Sequence, residues 1–327
     1  MQTPEHILIS RTDGIGDVIL TLPVAAALKA CFPQVRITFL GRGYTRPIIE
    51  HCAHVDAFAD WDLAGDTAAH QRDFLNLLEV DTVLHVFPRK EVVEAAFAAR
   101  IPVRVATARR WHTLMKVNRR LWFSRKGADL HEAQLNLKML DVLNCEPSLD
   151  LKVIGEHYGL SCAAKAADGA PHWADAPFKI LIHPRSHGSA VEYPLERYAD
   201  LIEQLHADGI AVGITGTEKE RAAIGEGLPW DRVTDFTGRL SLEQLMQLIA
   251  YSDGLVAAST GPLHIAAALG KPALGLFSPK RPIHPGRWQP LGPKAEYLVS
   301  ETHPEDGKLQ IKPSLVAARI REWKASR

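Results

Sequence analysis

Short apolar runs alternate with segments of helical period along almost the whole of this 327-residue chain, and few folds accommodate that order. The first run, His6 to Ser10, is followed by Val18, Ile19, Leu22, Ala25 and Ala26 at helical spacing, ending near Cys31 and Pro33. Further strands are expected at 35–40, 55–58 and 82–87, with helices at 44–51, 73–78, 91–99 and 131–143 and a break at Pro147. Between Gly155 and Pro177 the period is lost among Ala, Gly, Asp and Pro, which reads as a linker. The order then resumes with strands at 178–183, 210–215, 254–258 and 273–277. Between them lie a helix marked by Leu195, Tyr198, Ala199, Ile202 and Leu205, helices at 218–225 and 242–250, and a compact helix through 265–269. A last helix spans 313–323. Such alternation builds parallel sheets covered by helices on both faces. The expected fold is α/β: two Rossmann-like domains, 1–160 and 161–312, with a cleft between them into which the carboxyl ends of both sheets open, and a final helical segment, 313–327.

The apolar fraction of 46% and charged fraction of 23% are those of a globular protein, and 38 basic residues balance 38 acidic ones, so no overall field selects nucleic acid. Cys31, Cys52, Cys145 and Cys162 are scattered and form no C-x-x-C pair; neither a metal site nor a disulfide framework is expected, and a reducing compartment fits. The first residues lack a basic stretch followed by an apolar core, and no apolar run approaches the roughly 18 residues of a membrane span. A cytoplasmic location is expected, with room for peripheral contact at a membrane surface.

Three strand-to-helix loops carry residues with chemistry. In Ser259-Thr260-Gly261-Pro262-Leu263-His264, Thr260 is a helix-cap candidate and Pro262 fits the first turn. Free amides there, with a histidine one turn in, form either a diphosphate cradle or an ordinary capped helix with a surface histidine. Arg11-Thr12-Asp13-Gly14-Ile15-Gly16-Asp17 follows the first strand. It fails as a dinucleotide fingerprint, because Ile19 stands where a third glycine is needed. Asp17 is either a proton acceptor for a substrate hydroxyl or an acid that complements the helix dipole. His183-Pro184-Arg185-Ser186-His187-Gly188-Ser189 offers hydroxyls, amides and a cation to phosphate, or simply a turn before a helix. Glu218 reads equally as a ribose-binding acid and as an early-helix charge.

From Arg89 to Lys126 eleven basic residues stand against two acids, with Trp111, Trp122 and Phe123 among them. A run of this kind is ordinarily a solvated surface, but its local excess also suits an anionic carbohydrate or lipid headgroup. Candidate acceptor contacts are Arg46, Arg89, Arg109 and Arg110.

Together the opening Ile7-Leu8-Ile9-Ser10-Arg11-Thr12-Asp13-Gly14-Ile15-Gly16-Asp17 with Leu22-Pro23, the stretch from His183-Pro184 to Tyr193-Pro194, and Thr260-Gly261-Pro262-Leu263-His264 with Ala266-Ala267 resemble the heptosyltransferase family, glycosyltransferase family 9, whose members build the inner core of lipopolysaccharide. The resemblance spans nearly the whole chain and implies a GT-B fold. The first domain would hold the acceptor and the second the nucleotide sugar, and the last helix would pack back toward the first domain. It implies Asp17 as general base; Thr260, Gly261 and His264 at the donor diphosphate; Ser186 at a neighbouring phosphate; Glu218 at the ribose; and the Leu240 backbone at the base. Two positions depart from the family: Ser259 replaces a frequent Asp, and Val191 replaces the usual Lys or Arg, a loss for which Arg185 or Lys280 could substitute.

The resulting expectation is an inverting glycosyltransferase, without metal or other cofactor, that moves a heptose or related sugar from an ADP-sugar to an anionic, lipid-linked lipopolysaccharide-core acceptor. No nucleic-acid partner is expected. The alternatives are a nucleotide-sugar epimerase and a non-catalytic nucleotide-sugar-binding relative.

Overall fold

The computed structural model describes residues 3–108, 111–125, 128–186, 188–301 and 308–327. Two compact units divide the chain, Met1–Ser161 and Cys162–Arg327.

The first unit is built on six parallel strands: β1 (His6–Ser10), β2 (Arg36–Gly41), β3 (Ala57–Asp60), β4 (Thr82–His85), β5 (Val103–Thr107) and β6 (Arg119–Leu121). Their order is β3-β2-β1-β4-β5-β6. Ile7, Leu8 and Ile9 of β1 are wholly buried, as a central parallel strand covered on both faces requires. Chain direction reverses its lateral progress between β1 and β4. At such a switch point the loops leaving adjacent strands diverge, and a crevice opens outside their carboxyl ends.

The expected helix after β1 is broken in two, Ile15–Ile19 and Leu22–Cys31. Thr21 causes the break: its hydroxyl donates to the Asp17 carbonyl at 2.8 Å, and Pro23, which has no N–H, starts the second helix. The expected helix 131–143 is α-helical over Glu132–Leu137 and tightens to a 3-10 helix over Lys138–Leu143, ending at Asn144 in a left-handed conformation. Strands β5 and β6 lie within the basic run, where the sequence pattern indicated none. Both sit toward the sheet edge, where an exposed face accepts arginines without apolar alternation.

The absence of a disulfide, expected from cysteine spacing, is corrected. Cys31 and Cys145 are bonded, with Cα atoms 5.8 Å apart across a separation of 114 residues. The bond joins the end of helix Leu22–Cys31 to the chain just beyond Leu143. No local motif marks a pair that only the folded chain brings together, and a cysteine count alone does not argue for a reducing compartment.

The second unit repeats the plan. Its strands are β7 (Lys179–His183), β8 (Ala211–Ile214), β9 (Thr234–Asp235), β10 (Gly254–Ala258), β11 (Ala273–Phe277) and β12 (Ala295–Val299), in the order β12-β11-β10-β7-β8-β9. Renumbered from β7, this is the order of the first sheet, with its switch point between β7 and β10. One core joins Ile180, Ile182, Val256 and Leu274 of the sheet to Tyr198, Leu201, Ile202 and Leu205 of helix Leu195–Ala207. Val316, Ala317, Ile320 and Trp323 of the final helix, Pro313–Ala325, fill the same core. Trp323 lies so close to β10 that a Cβ on Gly254 would meet its ring at 2.7 Å. The buried face of that last helix is thus spent on the second unit. Among the described residues no helix is long and apolar enough to cross a membrane.

Candidate active site

In the first unit the loop leaving β1 holds Asp17 at the switch point, and the residues around it balance its charge. Gly14 accepts the Val18 amide at 3.0 Å and starts the short helix on which Asp17 is the third residue. Its half-buried carboxylate is ion-paired to Arg11. That guanidinium, 2% exposed, also donates to Asp13 at 2.7 Å and to Glu132 at 3.1 Å. It lies over the Phe87 ring in the loop leaving β4. Burial opposes the Arg11 charge, but Asp17, Asp13 and Glu132 outweigh it and raise its pKa, so it stays cationic. Burial pushes the Asp17 acid up to about 6; Arg11 pulls it down, while Asp13 and Glu132 add to the rise. A partly accessible carboxylate titrating near 6 is ionised at neutral pH yet basic enough to take a proton.

Of the acceptor candidates, Arg89 precedes helix Lys90–Ala98 on the β4 side of the same switch point. Its charge reaches Tyr44, whose hydroxyl donates to the Asp13 carbonyl at 2.7 Å. Arg46 is spent locally. It stacks on Phe58 at 4.6 Å and pairs with Glu50 at 3.1 Å and Asp60 at 3.8 Å, at the β3 edge of the sheet. Arg109 and Arg110 lie outside the described residues.

In the second unit the loops leaving β7 and β10 meet across the switch point, where the Ser189 hydroxyl donates to the Ser259 carbonyl at 3.3 Å. Thr260 caps helix Gly261–Ala268 in backbone conformation only. Its hydroxyl makes no cap hydrogen bond and is buried without a partner among the described residues. His264, one turn along, is buried. Glu218 opens helix Glu218–Ile224, and a Cβ on Gly238 would meet its Cβ at 3.2 Å. The Gly238 amide donates to Gly216 at 2.8 Å, which brings the chain leading to Leu240 beside Glu218. Leu240 also lines a cavity of about 170 Å³ with Phe236, Gln244 and Lys165, a lining that includes none of the other donor candidates.

Ser186 is already engaged. Its amide and hydroxyl donate to one oxygen of Glu192 at 3.0 and 3.1 Å, while Arg185 donates to the other at 2.6 Å. A carboxylate therefore occupies the groups nominated for a phosphate. Arg185 also donates to the Ala223 carbonyl at 2.6 Å, so its guanidinium is engaged within the loop, and Val191 packs against the core. Lys280, exposed in the loop after β11, remains at the same carboxyl edge.

The sequence profile of glycosyltransferase family 9 (heptosyltransferase) matches residues 128–315, more than half of the chain. The chain belongs to this family. It is 27% identical over 320 residues to a Haemophilus influenzae protein provisionally named a glycosyltransferase, covering 90% of this chain and 88% of that one. It is 22% identical over 323 residues to the lipopolysaccharide core heptosyltransferase OpsX of the same organism, covering 94% and 88%. The structure of Escherichia coli ADP-heptose lipopolysaccharide heptosyltransferase II aligns with a TM-score of 0.75 at 20% identity, covering 98% and 99%. This family 9 glycosyltransferase thus has the GT-B class of α/β fold, with two Rossmann-like domains.

Three residues of the glycosyltransferase's Asp17 site were not singled out from sequence. Arg125 donates to Glu132 at 2.5 Å, to Asn136 at 2.7 Å and to the Val86 carbonyl at 2.9 Å. Glu132 and Asn136 are buried one turn apart on helix Glu132–Leu137. An acid and an amide four residues apart, alternating with Ala133, Leu135 and Leu137, were the available signal. Among the described residues, no group of three or more His, Cys, Asp or Glu side chains is placed to hold a metal ion.

Proposed function

We propose that this glycosyltransferase moves a heptose, with inversion, from ADP-heptose to a sugar hydroxyl of the lipopolysaccharide core, with Asp17 as general base. The observation that carries the reading is the Asp17 carboxylate itself: half-buried, held by Arg11, and placed at the carboxyl-end switch point of its sheet. The donor is taken from the names of the relatives, which specify ADP-heptose and lipopolysaccharide.

In the reaction Asp17 accepts the acceptor hydroxyl proton as that oxygen attacks the anomeric carbon. The bond from that carbon to the diphosphate oxygen breaks on the opposite face, and its electron pair leaves with ADP. Charge growing on the diphosphate is met by the first amides of helix Gly261–Ala268, the unpartnered Thr260 hydroxyl and His264. Ser186 would join them once phosphate displaces Glu192, with Glu218 at the ribose and the Leu240 backbone at the adenine. On this reading the first domain takes the acceptor and the second the donor. Arg89 and the basic run that contains Arg109 and Arg110 receive its anionic groups at the cytoplasmic face of the inner membrane.

The test is transfer by Asp17→Asn, with ADP binding measured separately. Lost turnover with intact ADP binding supports the assignment, whereas near-native turnover removes it. Incubating the native enzyme with donor alone tests for an epimerase, which returns isomerised nucleotide sugar; donor binding without turnover when acceptors are added identifies a non-catalytic relative.

A further inference from the structure

Around Asp17 lies a buried layer that the reaction does not touch. Arg11 faces four acceptors on three sides: Asp13 through Nε, Asp17 through Nη2, and Glu132 with Asn136 through Nη1 at 3.1 and 3.4 Å. A planar guanidinium with acceptors on three sides has no freedom left about its terminal torsions. Glu132, 2% exposed, is shared: Arg125 binds the same oxygen at 2.5 Å and the same Asn136 oxygen at 2.7 Å. Asn136 turns its amide the other way, donating to Leu20 at 2.9 Å and Thr21 at 3.2 Å. Those contacts tie the layer to the turn that interrupts the helix below Asp17.

We propose that Glu132 and Arg125 are positioning residues for the reaction: the shared carboxylate fixes the Arg11 plane so that one arm always meets Asp17, and Arg125 keeps Glu132 from drawing Arg11 away. This inference rests on the reading of Asp17 as the base. The charged and titratable groups facing Asp17 are Arg11 and Asp13 from its own loop, Tyr44 from the chain after β2, Glu132 from its helix, and, through Glu132, Arg125 from the segment after β6. Removing the Glu132 charge takes away a like charge from Asp17 and unlocks Arg11. Removing Arg125 takes one guanidinium from Glu132, whose other guanidinium partner among the described residues is Arg11, so that it competes for the arm Asp17 uses. The two changes must act in opposite directions on the proton affinity of Asp17 while both blur its geometry.

The experiment compares Glu132→Gln and Arg125→Gln by the pH dependence of kcat/KM, by kcat at saturating donor, and by ¹³C titration of the Asp17 carboxyl in the ligand-free protein. The expected result for Glu132→Gln is an acid limb about half a unit to one unit lower; Arg125→Gln raises it by a similar amount. Each lowers kcat by about tenfold with ADP affinity unchanged. Folded variants whose limbs do not move, or move the same way, overturn the proposal. If Glu132→Gln does not fold, Arg125→Gln and Arg125→Lys decide: an upward limb shift that lysine reverses supports it, and an unmoved limb overturns it. If Asp17→Asn keeps turnover, the base reading has failed. The ¹³C titration then judges the positioning alone, since opposite shifts of the Asp17 carboxyl support it and no shift overturns it.

Discussion

Replacing Thr260 by valine separates a ligand site from an ordinary helix cap, because the two roles predict opposite balances of stability and binding. A threonine that caps a helix through its hydroxyl loses about 1 kcal/mol on removal of that hydroxyl. In a unit of this size such a loss lowers the melting midpoint by about 2–4 °C. Thr260 makes no cap bond, and its hydroxyl is buried without a partner among the described residues. Valine keeps the shape and removes a polar group that folding has taken from water at a cost of about 1–3 kcal/mol. The ligand-free midpoint should therefore hold or rise. ADP should suffer instead, since a hydrogen bond to a charged oxygen contributes about 1.5–3 kcal/mol, or roughly 10- to 150-fold in Kd. Calorimetry with ADP and a melt without it measure both terms on one sample. A lower midpoint with unchanged ADP affinity would refute the reasoning and return Thr260 to the role of a plain cap.

The charge on Asp17 should also be visible in stability. Its folded-state pKa, about 6, lies above the ordinary aspartate value, so its stabilising contribution is complete below pH 4 and is lost as pH rises through 6. Asp17→Asn should accordingly gain about 1–3 kcal/mol over the native protein above pH 7, and little at pH 4, in urea unfolding at the two pH values; an equal gain at both would contradict this. The Cys31–Cys145 bond closes a loop whose chain entropy corresponds to at most about 4–5 kcal/mol. Reduction with dithiothreitol, or Cys31→Ser, should lower the melting midpoint, and an unchanged melt would show that the bond contributes nothing.

Several elements could be read locally because their determinants are local. The buried runs of β1, β7, β10 and β11 declare central parallel strands, and the Thr-Gly-Pro start of helix Gly261–Ala268 lies where its sequence placed it. Strands β6 and β12 escaped because edge strands need no apolar alternation, and Arg119 and Arg120 of β6 face solvent; β5, next to the edge, is only partly buried and carries Arg104. The strand-loop-helix positions of Asp17 and Thr260 were equally legible, since both follow from where a strand stops and a helix starts.

By itself, then, the sequence determined the alternation of strand and helix, the two sheets it implies, and the loops in which candidate chemistry resides. The tertiary structure alone decided what surrounds those candidates. It set Arg11 against Glu132 from 121 residues away, paired Cys31 with Cys145, and turned Glu192 onto Ser186 and Arg185. Helical and strand period arise from the backbone geometry of neighbouring residues. Proton affinity and hydrogen-bond occupancy depend on which distant groups share a few ångströms from which water has been removed.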